Sequence, residues 1–257
     1  MTLIRRLLGR GSQRGNGTGA TVAPEFVALT DVGVKRNENQ DAVLAKRLPG
    51  ARLLLAVADG VGGSEGGAAA SQLAVGWLEW GVSTTADAVA GLSKAYASAH
   101  EAVDGLGSGK RKPATTLVAA LVDGPQVWIA NVGDSRAWIM GDGGLRQLTE
   151  DHSWVADQVR AGRLTPEEAR TSQMRNVITR AIGTGDTAAP DLTGPLTLTP
   201  GETLVLTSDG LHGLLSEAEI AAVIASDELE DAARRLIQMA NDAGGPDNIS
   251  VVIYRTP

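Results

Sequence analysis

Apolar runs of strand length recur along this chain in consecutive blocks, and helical stretches come in pairs between the blocks rather than after each strand. The runs cover residues 25–30, 53–58, 116–122, 127–132, 137–140, 203–207 and 249–254. They are rich in Val, Leu, Ile and Thr, which fit a pleated, buried surface. The regular strand–helix alternation of a doubly wound parallel sheet is missing. Two junctions read as hairpins: Asp123-Gly124-Pro125 between two runs, and Gly141-Asp142-Gly143-Gly144 between Met140 and Leu145. The helical stretches pair as 71–80 with 87–103 and as 216–225 with 231–240, and Ser216 three residues before Glu219 has the form of a capping box. The pattern predicts an α+β fold: two packed antiparallel β-sheets, a β-sandwich, flanked by pairs of α-helices in αββα layers.

With 257 residues, 43% of them hydrophobic, the chain can bury one sizeable core, and no Pro- or Ser-rich linker divides its middle. One domain is expected over residues 24–257, after a flexible, basic and Gly-rich segment at 1–23. The net charge of −7 repels phosphate backbones and argues against nucleic-acid binding. It also means that a protein acting on phosphate must recruit cations, its own arginines or bound metal. The chain has no cysteine, which excludes disulfides, thiolate zinc sites and a cysteine nucleophile. That fits a reducing cytoplasm, the expected location. No apolar run approaches the roughly 20 residues that span a bilayer, so stable membrane insertion is not expected. The apolar stretch at the start, Met1 to Leu8, is too short for a signal peptide.

Two segments share one design. Leu53-Leu54-Leu55-Ala56-Val57-Ala58 runs into Asp59-Gly60, and Leu204-Val205-Leu206-Thr207-Ser208 runs into Asp209-Gly210. An apolar strand ending in a bare carboxylate is costly unless the charge is paired. The following glycine permits a tight turn and close approach to a ligand. A solvated aspartate in a strand-end turn is the plainer alternative for either site alone. Asp41, Asp134 and Asp247 are further candidates, each in a polar Gly/Asn setting. Carboxylates without Cys or a His cluster favour hard cations, Mg²⁺ or Mn²⁺. Spacing does not show that these aspartates converge.

The motifs in their order resemble those of the metal-dependent protein phosphatase family (type 2C), particularly its compact bacterial members. The resemblance spans residues 30–252. It begins with Thr30-Asp31-Val32-Gly33-Val34-Lys35-Arg36, Asn39-Gln40-Asp41 and Val57-Ala58-Asp59-Gly60-Val61-Gly62-Gly63. It continues with Ala114-Thr115-Thr116-Leu117, Val132-Gly133-Asp134-Ser135-Arg136 and Leu148-Thr149-Glu150-Asp151-His152-Ser153, and ends with Ser208-Asp209-Gly210-Leu211 and Gly245-Pro246-Asp247-Asn248. The resemblance implies hydrolysis of phosphoserine and phosphothreonine in proteins by a water activated between two Mn²⁺ or Mg²⁺ ions, with no phosphoenzyme. It implies that Asp59 bridges the metals and the Gly60 carbonyl binds one of them. Asp209 and Asp247 then match ligands of the other metal, with Asp41 an acidic position at the same site that acts directly or through metal-bound water. Arg36 matches the arginine that grips the substrate phosphate, a task suited to a planar fork of donors. Asp134 matches a ligand of a third, weaker metal. The implied partners are phosphorylated protein substrates of a serine/threonine kinase, met by a monomer. The alternative is a catalytically weak phosphoprotein-binding regulator of the same fold.

The chain departs from the family pattern at several points. Gln40 stands where many relatives carry Glu, Val61 where some carry His, and Gly213 where many carry the Asp of a third metal site. Residues 151–175 resemble the flap beside the active site, with Ser172-Gln173 in place of a frequent His-Pro pair. His152 reads as a loop histidine held by hydrogen bonds, and both it and His212 are weaker catalytic candidates than the aspartates.

Overall fold

The computed structural model describes residues 5–9 (backbone only), 25–61, 66–107, 112–185 and 189–257. In chain order the strands are β1 (Arg5–Gly9), β2 (Phe26–Asp31), β3 (Asp41–Arg47), β4 (Leu53–Val61), β5 (Ala114–Thr115), β6 (Leu117–Asp123), β7 (Gln126–Val132), β8 (Arg136–Gly141), β9 (Gly144–Gln147), β10 (Asp191–Thr197), β11 (Thr203–Thr207) and β12 (Ile249–Arg255). The helices are α1 (Gly67–Ser83), α2 (Ala88–Asp104), α3 (Trp154–Arg160), α4 (Pro166–Thr171), α5 (Asp209–His212), α6 (Glu217–Ser226) and α7 (Leu229–Asp242). One sheet has the order β1-β2-β12-β11-β8-β9, and the other β10-β7-β6-β4-β3 with β5 paired to β4. Neighbouring strands run antiparallel, as in β3–β4, β11–β12 and β12–β2.

The layers follow from strands buried on both faces. Along β4, Leu53, Leu55 and Val57 enter the core between the sheets with Val118, Ala120, Leu204, Leu206 and Val252. The alternate residues Leu54, Ala56 and Ala58 face Ala70, Ala74 and Leu78 of α1 and Leu92, Ala95 and Tyr96 of α2. Across the sandwich, Val205, Val251 and Ile253 pack on Ile220 and Ile224 of α6 and Leu236 and Ile237 of α7. Successive strand residues point to opposite faces, so a strand with helices behind it and a sheet in front must be apolar throughout. The expected αββα sandwich is the observed fold. Within the first helix pair, Gly81 lets α1 and α2 touch: a Cβ there would stand 2.6 Å from the Ala95 Cα. Ser216 caps α6 in a full capping box with Glu219, and Asp87 caps α2 by accepting from the Ala90 N–H.

Two expectations change. Residues 5–9 of the segment expected to be flexible form an edge strand, with Gly9 opposite Phe26; residues 1–4 and 10–23 lie outside the described residues. Strands β3 and β10, absent from the sequence reading, are sheet edges, whereas the edge strand β9 is the second arm of the hairpin expected between Met140 and Leu145. β10 is largely exposed and interrupted by Gly194-Pro195, so it carries no apolar run. Among the described residues no helix is long and apolar enough to cross a membrane.

Candidate active site

All the candidate aspartates lie at one end of the sandwich because the strand register puts them there. Asp41 opens β3 and is the cross-strand partner of Asp59 near the end of β4. Asp209 follows β11 through Ser208, whose N–H donates to the Ser250 carbonyl in β12 at 3.2 Å. Asp247 precedes β12 and caps its own turn by accepting the Asn248 N–H at 2.8 Å. Asp134 sits in the turn between β7 and β8.

The two glycines that follow Asp59 and Asp209 serve close backbone packing. A Cβ on Gly60 would lie 2.2 Å from the Gly67 carbonyl oxygen and 2.6 Å from that of Gln40. On Gly210 it would lie 1.9 Å from the Asn248 carbonyl oxygen. Gly33 adds a second reason: a Cβ there would lie 2.1 Å from the Asp247 carbonyl oxygen, and its φ of 80° is one that L residues rarely adopt.

Asn248 ties the connection between β2 and β3 to its own loop at three points. Its Oδ1 accepts the Gln40 N–H at 2.8 Å, and its Nδ2 donates to the carbonyls of Val32 and Glu38, both at 2.9 Å. Asp59 is held through its backbone, donating its N–H to Thr116 Oγ1 at 2.9 Å and accepting the Thr116 N–H at 2.9 Å. Asp41 Oδ2 accepts hydroxyl protons from Ser208 at 2.8 Å and Ser250 at 2.6 Å. Arg36 stands at the rim, half exposed, its guanidinium 2.7 Å from Asp247 Oδ2. The sequence reading gives Ser250 and Thr116 no role at the site, although Thr116 lies in one of the motifs that carry the resemblance. The available signal was a hydroxyl residue in the middle of an apolar strand, buried completely at Ser250.

The electrostatics show how close these groups are. Burial, then the charges of Asp41, Asp209, Asp134 and Asp247, drive the Asp59 carboxyl well above its usual range. Asp41 is pushed up to about 7 by burial and by Asp209 and Asp247, against the lowering effect of the two serine hydroxyls. Asp209 is raised by burial and by Asp247, and Asp134 by burial, Asp209 and Asp151. Desolvation and like charge act in the same direction here. Two carboxylate oxygens, Asp41 Oδ1 and Asp209 Oδ1, are buried without a hydrogen-bond partner. Orphaned acceptors among crowded carboxylates are what a divalent cation satisfies, so the donor set fits Mg²⁺ or Mn²⁺. Among the described residues no three side chains already form a closed ligand set. Both oxygens of Asp247 are engaged, by Arg36 and by the Asn248 N–H.

Other sequence candidates lie close by but are committed to structural hydrogen bonds. His152 Nδ1 accepts the Gly133 N–H at 3.0 Å, which puts the ring proton on Nε2, where it donates to Asp191 at 3.0 Å. This is the expected hydrogen-bonded loop histidine. His212 is buried beneath Asp134, paired with Thr207 Oγ1 at 2.9 Å, and burial and Arg136 hold it well below its usual pKa. Arg136 does not pair within its own turn; it forks onto Asp151, with contacts of 2.9 and 2.6 Å. Helices α3 and α4 build the flap-like segment, and α4 opens with a capping box between Thr165 and Glu168.

The family model described as Protein phosphatase 2C matches residues 34–250. The chain belongs to the protein phosphatase 2C family. It is 37% identical over 238 residues to the protein phosphatase PhpP of Streptococcus pneumoniae, covering 89% of this chain and 96% of that protein. It is 36% identical over 245 residues to the serine/threonine protein phosphatase PstP of Mycobacterium tuberculosis, covering 91% of this chain and 45% of that longer protein. Among solved structures, the serine/threonine phosphatase of S. agalactiae superposes with a TM-score of 0.84 at 34% identity, over 90% of this chain and 99% of that one. The catalytic domain of PstP in complex with two manganese ions superposes with a TM-score of 0.80 at 34% identity, over 90% and 96% of the two chains. As a protein phosphatase 2C member, the chain has the αββα sandwich of its neighbours, and its aspartates occupy one end of that sandwich.

Proposed function

We propose that this protein is a metal-dependent protein serine/threonine phosphatase acting on phosphoserine and phosphothreonine. The observation that carries the reading is the group of buried aspartates with two orphaned carboxylate oxygens, crowded on one another and met at the rim by Arg36. Asp41, Asp59, Asp209 and Asp247, with the Gly60 carbonyl, would hold two Mn²⁺ or Mg²⁺ ions, and Asp134 would serve a weaker third. Such ions supply Lewis acidity and a water acidic enough to attack phosphorus. The manganese-bound PstP catalytic domain supports the choice of metal.

The chain's own residues bind and orient. Arg36 presents its guanidinium fork from the rim to the phosphoryl oxygens, and Asp247 fixes that fork through its Nη2 contact. Val61 is exposed beside Gly60 and has no proton to give. His152 and His212 are committed to structural hydrogen bonds, so solvent protonates the leaving hydroxyl. Substrates in this reading are proteins phosphorylated by a serine/threonine kinase, handled by a monomer in the cytoplasm.

The test is hydrolysis of p-nitrophenyl phosphate and of a phosphothreonine peptide, each with Mn²⁺, with Mg²⁺ and with excess EDTA. Turnover of both substrates with metal and its loss in EDTA are expected. Activity that survives EDTA would overturn the reading.

A further inference from the structure

Asp41 is held asymmetrically. Its Oδ2 takes two hydroxyl contacts, while its Oδ1 is buried and takes none. Behind Oδ2 lies a row of polar groups that the sandwich would otherwise have no reason to bury. Thr30 in β2 is the cross-strand partner of Ser250 in β12, and both side chains are buried. Thr30 Oγ1 is 2.8 Å from Ser250 Oγ and 2.8 Å from Asn39 Nδ2.

Proton counting gives the row a direction. Asn39 Oδ1 accepts the Asp41 N–H at 3.1 Å, so its Nδ2 is the end turned to Thr30. With Asp41 ionised, as a cation would hold it, the carboxylate only accepts. Ser250 has one proton, and it goes to Asp41 Oδ2 at 2.6 Å. Ser250 Oγ is also placed to donate to Thr30, but its one proton cannot serve both acceptors. Once that proton is on the Asp41 side, Thr30, which accepts from Asn39, closes the 2.8 Å contact to Ser250 with its own proton. Ser208 completes the clamp, accepting the Ser250 N–H at 3.0 Å and donating to the same Oδ2. The row therefore runs one way, from Asn39 through Thr30 and Ser250 to Asp41, and each bond polarises the next. It saturates Oδ2 and leaves Oδ1 as the oxygen Asp41 can offer to an ion.

We propose that Thr30 is a positioning residue which, through Ser250, locks Asp41 as a one-oxygen metal ligand, although Thr30 touches neither metal nor substrate. The inference rests on the metal-dependent reading above. Partners that orient metal-ligating carboxylates commonly govern affinity by 10- to 100-fold.

The experiment measures Mn²⁺ binding to the full chain by titration calorimetry and by electron paramagnetic resonance of free Mn²⁺, alongside thermal melting in EDTA. Thr30→Val keeps the shape and removes the hydroxyl, and it should weaken Mn²⁺ binding by roughly tenfold. Thr30→Ser restores the hydroxyl and should bring affinity back to within about twofold of wild type, which a purely structural role would not require. Ser250→Ala removes the donor itself and should weaken binding at least as much; it carries the test alone if Thr30→Val does not fold. Unchanged affinity in a folded Thr30→Val or Ser250→Ala, or equal weakening by Val and Ser at position 30, would overturn the proposal. Failure of the wild-type chain to bind Mn²⁺ would instead remove the metal-dependent reading itself.

Discussion

Two neighbouring regions hold carboxylates in opposite ways, one burying them together and the other pairing a mostly buried Asp151 and an exposed Asp191 with bases. At the sandwich end, Asp41, Asp59 and Asp209 are crowded together with serine, glycine and backbone partners, and Arg36 approaches from the rim. A short distance along the chain, Asp151 is forked by Arg136 and also accepts from Gln147, while Asp191 takes His152 and Arg180. The second region satisfies itself. The first leaves orphaned oxygens and raised pKa values, the state of a site arranged for an external cation. The contrast shows that burial of an acid does not by itself mark function. Asp31, buried with an orphaned Oδ2 of its own while its Oδ1 takes the Gly33 N–H and the Asn241 amide, shows that one orphaned oxygen does not either; several such acids crowded together do.

The sharpest way to break this comparison is to neutralise one acid in the first region. Asp59→Asn and Asp209→Asn should each lower kcat by roughly 10³-fold or more, because each removes a group acting in the transition state. In EDTA the same variants should melt at or above the wild-type temperature, since each relieves like-charge repulsion. An Asp209→Asn enzyme with most of its activity intact would defeat the contrast.

Metal and pH together sharpen it. Binding only to the folded state at about a hundred times Kd adds about 2.7 kcal/mol, which should raise Tm by ~5–10 °C for a chain of this size. The sign of the pH effect then separates the regions. The folded-state value of Asp41, about 7, lies above its ordinary 3.8, so between the two the folded chain binds more protons than the unfolded one. Stability contributed by this group is therefore lost as pH rises from about 4 to about 7. Asp191 has the opposite sign. Burial raises its pKa, but Arg180 and His152 lower it further, so its contribution is present above the ordinary range and fades as pH falls. Melting in EDTA should show Tm falling between pH 5 and about 7.5, and saturating Mn²⁺ should abolish the fall by holding Asp41 ionised. A metal-free Tm that rises over that interval would contradict the assignment.

The smallest effect belongs to the self-satisfied region. Asp151→Asn should cost about 2 kcal/mol through the lost charge-assisted bonds to Arg136, or ~4–8 °C in Tm. Mn²⁺ affinity should stay within about twofold of wild type, since Asp151 would hold no ion. Calorimetry on the folded variant checks both.

The interior of the fold was legible and its margins were not. Strands β4, β6, β7, β11 and β12 read directly because residues between two layers must be apolar at every position. Strand β3, carrying Asp41, escaped notice because it is an edge strand only partly covered, with Asp41 and Leu44 its buried residues and its end exposed. Asp59 and Asp209 were visible as carboxylates ending apolar runs. Ser250 and Thr30 were not, since a hydroxyl in a strand does not announce which acceptor lies across the sheet. The glycines after the two aspartates were read as room for a ligand, whereas Gly60 and Gly210 lie against the carbonyls of Gly67 and Asn248.

The sequence alone determined the layered class, the hairpins, the helix caps and a short set of acids with no lysine or arginine beside most of them, because these depend on periodicity and near-neighbour chemistry. Only the tertiary structure decided that the acids meet, which oxygens of Asp41 and Asp209 are left without partners, and that Arg136 spends its charge on Asp151. Those outcomes depend on strand register between segments up to two hundred residues apart, and a one-residue slip in that register would turn each side chain to the other face.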